Sequence, residues 1–181
     1  MKRVLSAVCC VALCSLPAVA QKAATAKAGA AMSDQQFVDF AGQTDMVEAN
    51  LGQLAQNTAA SQDVKDLAQT IVTDHNQDYG QLMTAAKGAN LNVPTAIDAQ
   101  HNKAMIDPFQ KLKGAAFDRK YVQEMIAGHE KAIAVYKKEA NDAQNDALKS
   151  YAQTALPVLQ KHLDAAKSAL KSGGKKAPAT T

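Results

Sequence analysis

The chain has 181 residues, 47% hydrophobic but only 4% aromatic, with no tryptophan and a formal net charge of +3. That length suits one domain with its own core. Sparse glycine, proline and strand-forming residues weigh against an all-β fold, and so small a charge excludes a protein held to nucleic acid by phosphate contacts.

The first twenty residues read as an export signal. Lys2 and Arg3 form a basic start, Val4 to Leu16 is an apolar run, and Ala18-Val19-Ala20 is a small-x-small cleavage site. The run is shorter than the roughly 20 apolar residues that cross a bilayer. Cleavage after Ala20 is expected, the alternative being an uncleaved anchor. Cys9, Cys10 and Cys14 all lie in this segment, so the mature chain would have no disulfide and no thiolate ligand. Val8 and Leu13, which precede Cys9 and Cys14, are too large for a lipoprotein site. The product is expected to be exported and soluble, periplasmic or outer-membrane-associated, with no transmembrane helix in the mature chain. Residues 33–172 hold 14 basic and all 17 acidic side chains, so the excess of positive charge belongs to the ends. Neither a nucleic-acid partner nor a polybasic membrane patch is expected on the folded part; protein partners are not indicated.

Residues 21–32 and 172–181 are rich in Ala, Lys, Thr and Gly and are expected to be disordered. Between them, residues 33–171 carry four long helical patterns. The first starts at Ser33 with Gln36 three positions on, a capping box, and its stripe runs through Phe37, Phe40, Val47, Leu51 and Leu54. The second follows Ser61, a possible N-cap, and uses Val64, Leu67, Ile71, Leu82 and Ala86, with Gly88 as the expected C-terminal cap. Asn90 to Thr95 is a connection. A shorter segment, Ala96 to Lys113, carries Ile97, Met105, Ile106, Phe109 and Leu112, and Pro108 should bend or divide it. The third long helix follows Gly114 with Phe117, Tyr121, Met125, Ile133 and Tyr136. After a turn at Asn141 to Asn145, the fourth runs to about Lys171 through Leu148, Ala152, Ala155, Leu159, Ala166 and Leu170, with a kink expected at Pro157. Two hairpin-like pairs joined by a long crossover containing a shorter helix point to an all-α, ferritin-like four-helix bundle. A five-helix arrangement, with the crossover helix as a full member, is the alternative.

Four polar residues interrupt the apolar stripes, one per long helix: Glu48, His75, His129 and His162. Glu48, His75 and His129 lie near their helix midpoints, within about one turn of 5.4 Å, and His162 somewhat further out. Helices packed at roughly 8–10 Å bring inward side chains of opposite members into ligand range. Three imidazoles and a carboxylate suit one transition metal, zinc, copper or iron. The same residues could instead hydrogen-bond one another, or Tyr79 and Tyr121, as a structural polar network. Buried together as neutral imidazoles, they would make the fold lose stability between about pH 7 and 5. Asp74 and Glu130, adjacent to His75 and His129, could orient the imidazoles or simply solvate the helix exterior. Met46, Met83 and Met125 could favour copper(I), against their ordinary reading as core filler. His101 is expected at the surface of the crossover. No His-Glu-x-x-His, Gly-x-Ser-x-Gly or phosphate-cradling glycine loop is present, and nothing indicates a substrate cleft.

Asp74-His75, the Phe117-Asp118 … Tyr121 … His129 run and Leu156-Pro157-Val158-Leu159 … His162-Leu163 together resemble domain of unknown function 4142 (DUF4142), over about Ser33 to Leu170. The resemblance implies a ferritin-like helical domain and secretion, with no established activity. Di-iron members of the wider ferritin-like group take a Glu from each of two helices and Glu-x-x-His from each of the other two. Here Val72 and Leu159 stand three residues before His75 and His162, and His129 stands where a Glu ligand would be, so a carboxylate-rich di-iron site is not expected. Three readings result. They are a non-catalytic exported helical protein of the cell envelope with a stress-related or interaction role, a periplasmic single-metal protein using the three histidines and the glutamate, and an enzyme built on that metal.

Overall fold

The structure, a computed structural model, describes residues 32–173. The expected signal at 1–20 and nearly all of the linker and tail lie outside the described residues. Those described are helical throughout their regular structure: α1 (Asp34–Thr58), α2 (Gln62–Gly88), the short α3 (Ala99–His101), α4 (Gly114–Asp142) and α5 (Asp146–Gly173). No described helix is long and apolar enough to cross a membrane.

Helix α1 starts where the sequence places it. Ser33 accepts from the Gln36 backbone, and the Gln36 side chain accepts from the Ser33 N–H, a complete capping box. Ser61 occupies the N-cap of α2, but its hydroxyl makes no capping bond. Asp118, far off on α4, instead accepts from the Ala60 and Ser61 amides at 2.9 and 2.8 Å. The second helix also ends differently from expectation. Gly88 is still helical, and Asn90, at φ 56°, takes the left-handed position, a conformation asparagine tolerates.

Helix α1 packs on α2, α4 on α5, and the two pairs meet through α2 against α5 and α1 against α4. Gly52 lets the first pair pack closely, since a Cβ there would stand 2.7 Å from the Val72 Cγ2. The crossover lies along α1, held by two side-chain amides. Gln35 brackets the Asn92 backbone at 2.7 and 3.1 Å, and Gln43 bonds Ala96 and Asp98 at 2.9 and 3.1 Å. After α3 the chain passes through a π-turn (Asn102–Ile106) and a 3-10 turn (Asp107–Phe109), the latter holding Pro108. Of this winding only Phe109 is fully buried.

The apolar stripes form two separate clusters. One gathers Phe37, Leu82, Tyr136, Leu148 and Leu159; the other gathers Leu51, Ile71, Phe117, Tyr121 and Met125. Phe40 and Leu54 are only partly buried. Leu170, expected in the core, is 42% exposed. Ala166 and Ala169 carry the stripe at that end of α5, which runs on to Gly173. Between the two clusters, every long helix contributes a polar residue.

Candidate metal centre

Glu48 on α1, His75 on α2, His129 on α4 and His162 on α5 meet in this layer, each between 0% and 5% exposed. The stripes explain the convergence. His75 stands one turn after Ile71, and His129 one turn after Met125, both core residues, so each imidazole is carried inward on a face already committed to the interior. The ring centroids lie 5.1–5.6 Å apart.

Each imidazole has one nitrogen turned outward to an acceptor. His75 Nδ1 is 2.8 Å from the Asp45 carboxylate, His129 Nδ1 donates to the Met125 carbonyl at 2.8 Å, and His162 Nε2 is 2.8 Å from the Asp74 carboxylate. A carbonyl only accepts, so His129 donates from Nδ1 and turns Nε2 toward His162. The Asp74 carboxylate favours the His162 tautomer with its proton on Nε2.

The inner atoms then face one another. His75 Nε2 lies 3.0 Å and His129 Nε2 lies 3.4 Å from Glu48 Oε2, and His129 Nε2 is 3.1 Å from His162 Nδ1. Donors of the three imidazoles all lie within 4.8 Å of one another. Despite the short separation, Glu48 Oε2 and His75 Nε2 are misaligned for a hydrogen bond and have no such partner. Four donors at about 2.0–2.1 Å from a tetrahedral ion would stand about 3.3 Å apart. The three close separations bracket that value.

Electrostatics follow from the same contacts. Burial pushes the His75 imidazolium down, but Glu48 and Asp45 beside it more than offset this and carry it to about 10. Burial lowers His162 to about 4, with Asp74 opposing and the other imidazoles reinforcing. Burial would raise the Glu48 carboxyl, yet His129 and His75 hold it below its ordinary range. Burial pushes Asp45 up to about 7 against the pull of His75. The expectation of three equally depressed imidazoles is therefore corrected, because His75 sits between two carboxylates and His162 faces only one, itself partly solvated.

Several neighbours differ from expectation. Tyr79 donates to the Pro94 carbonyl on the crossover, and the buried Tyr121 hydroxyl has no partner among the described residues, so neither tyrosine hydrogen-bonds the four residues. Asp74 does orient His162, whereas Glu130 pairs with Lys167 at the surface, 2.9 Å away. Met83 is 51% exposed, and Met125 serves through its carbonyl. His101 is partly exposed and pairs with Asp98 at 2.8 Å. Sequence reasoning missed Asp45, although it stands three residues before Glu48 and thus on the same helical face. It also missed Gly128, where a Cβ would come within 2.8 Å of Glu48 Oε1; the absent side chain makes room for the carboxylate.

The family model for a domain of unknown function, DUF4142, matches residues 19–169. The chain belongs to this family. All four inward polar residues of this DUF4142 chain, and the Asp45 and Asp74 carboxylates behind them, lie within the matched span. Neither a curated protein nor a solved structure matches the chain.

Proposed function

We propose that this protein is an exported, ferritin-like four-helix bundle of the cell envelope that holds one divalent transition ion through Glu48, His75, His129 and His162. The observation that carries this reading is the two-sided polarity of the imidazoles. Each outer nitrogen faces an acceptor, and the inner nitrogens converge on one another and on Glu48 at 3.0–3.4 Å. A bound cation would take the place of the protons that His75 and the His129–His162 pair hold among these atoms. Acceptors behind ligating histidines orient metal centres in the same way.

A set of three nitrogens and one oxygen favours zinc, copper or iron over hard cations such as magnesium or calcium. Four buried protein ligands leave no open position, which supports binding or structural use rather than catalysis. Export is supported by Lys2, Arg3, the run to Leu16 and the Ala18-Val19-Ala20 site. The ferritin-like reading rests on the two hairpin-like pairs and the long crossover.

Elemental analysis tests the metal reading on mature protein purified from the periplasm without a histidine tag or chelator. Near-stoichiometric zinc, copper or iron is expected, and its loss in a His75→Ala/His129→Ala variant. Folded protein that neither carries nor takes up metal would overturn the reading.

A further inference from the structure

We infer that the ion reaches this centre sideways, through the seam between α2 and α5 at Asp74 and Val158, and that local opening of α5 at Pro157 sets the rate of its uptake and release. The inference rests on the metal reading above.

The axial directions and the approach past α4 are closed. Along the helix axes the polar layer is bounded by the two apolar clusters, where a hydrated cation would meet Leu, Phe and Tyr side chains and no ligand. Toward α4, His129 is fully buried, and Glu48 Oε1 lies so close to Gly128 that not even a methyl group fits between them. The α2–α5 seam differs. A cavity of about 10 Å³ there is lined by Asp74, His75, Asp78, Val158, Leu159 and His162, so it touches two of the four ligands. Farther along the same seam, an open groove of about 490 Å³ runs past Gly80, Thr84, Ser150 and Thr154. Asp74, 35% exposed at its side chain, spans from solvent to His162 Nε2. A carboxylate at the mouth attracts a cation and replaces part of its lost hydration.

The cavity has room for about one water-sized particle, too little for a hydrated ion, so passage requires movement. Pro157 supplies the weak point. It has no N–H to offer the Gln153 carbonyl, which breaks the hydrogen-bond ladder of α5. Val158 and Leu159, the next two residues, both line the cavity. Opening this turn separates Val158 from α2 and shifts Leu159 at the edge of the first cluster, leaving the second cluster untouched.

Exchange kinetics of Co²⁺, followed by its visible bands on uptake and on release to a chelator, test the inference in the full-length mature protein. Val158→Phe should obstruct the mouth, and Pro157→Ala should restore the ladder. Each should slow uptake and release together by about tenfold or more, with the equilibrium affinity unchanged. Pro157→Ala keeps the test open if Val158→Phe folds poorly. Ala127→Phe, exposed on α4, should exchange at the wild-type rate. Wild-type rates in both seam variants, or equal slowing by Ala127→Phe, would overturn the inference while leaving the metal reading intact. A wild-type chain that takes up no Co²⁺ overturns both.

Discussion

Two buried polar groups of this molecule solve the same problem differently. Inside the first apolar cluster, the Tyr136 hydroxyl donates to Tyr151 at 3.0 Å, and Tyr151 donates to Asp78 at 2.6 Å. Every hydroxyl there has a partner, and the chain of bonds ends on a carboxylate. In the neighbouring imidazole layer the outer nitrogens are equally well provided for, but Glu48 Oε2 and His75 Nε2 approach without bonding. A network retained only to fix register would look like the tyrosine pair. The tyrosine chain is closed, whereas the imidazole layer keeps Glu48 Oε2 and His75 Nε2 without a hydrogen bond among the described residues, which is the difference the proposed metal site would explain.

The contrast breaks most visibly if both groups respond alike to metal. Zinc at a hundredfold excess over its dissociation constant should stabilise the wild-type protein by about 2.7 kcal/mol. For a domain of this size that raises the melting temperature by about 5–10 °C. His75→Ala/His129→Ala should show no rise, and calorimetry with and without zinc checks both. A smaller effect is expected one layer out. Asp45→Asn or Asp74→Asn keeps an acceptor beside the imidazole but removes its charge, and should weaken zinc affinity about tenfold, measured by competition with a chromophoric chelator.

Tyr151→Phe sharpens the comparison from the other side. It removes two hydrogen bonds of the tyrosine group and should cost about 1–3 kcal/mol in denaturant unfolding, with zinc affinity unchanged. A matching loss of affinity would mean that the two groups act as one network.

Protonation tests the imidazole layer alone. His75 has its pKa raised to about 10 in the folded protein from an ordinary 6.5, so the folded state binds the extra proton between these values. Its contribution is full below about pH 6.5 and is lost as pH rises toward 10. His162, lowered to about 4, acts oppositely and costs stability as pH falls from about 6.5 to 4. The melting temperature of metal-free protein should therefore decline between about pH 7 and 10, and His75→Gln should flatten that decline. A wild-type profile that is already flat there would show that His75 carries no proton between its carboxylates.

The convergence of these four residues was legible in the sequence because each long helix has a regular apolar stripe, and a His or Glu on such a stripe points inward. Phe37, Ile71, Met125 and Leu159 are buried as their spacing requires, and the polar residues follow them. What the sequence could not reveal lies in contacts between distant segments. Asp118 caps α2 from α4, which removes the need for the Ser61 hydroxyl. Asp74 and Glu130 both neighbour a histidine, yet Asp74 reaches across to His162 on α5 while Glu130 meets Lys167. Helical periodicity assigns a face but not the partner opposite it. Leu170 shows the limit at a terminus, where the stripe continues past the last residues able to cover it.

X-ray absorption at the zinc edge of the loaded protein tests the central claim most directly. Four light-atom ligands at about 2.0–2.1 Å, with the multiple-scattering signature of three imidazoles, are expected. Six oxygen-like neighbours with no imidazole scattering would place the ion on surface carboxylates and contradict a centre built from Glu48, His75, His129 and His162.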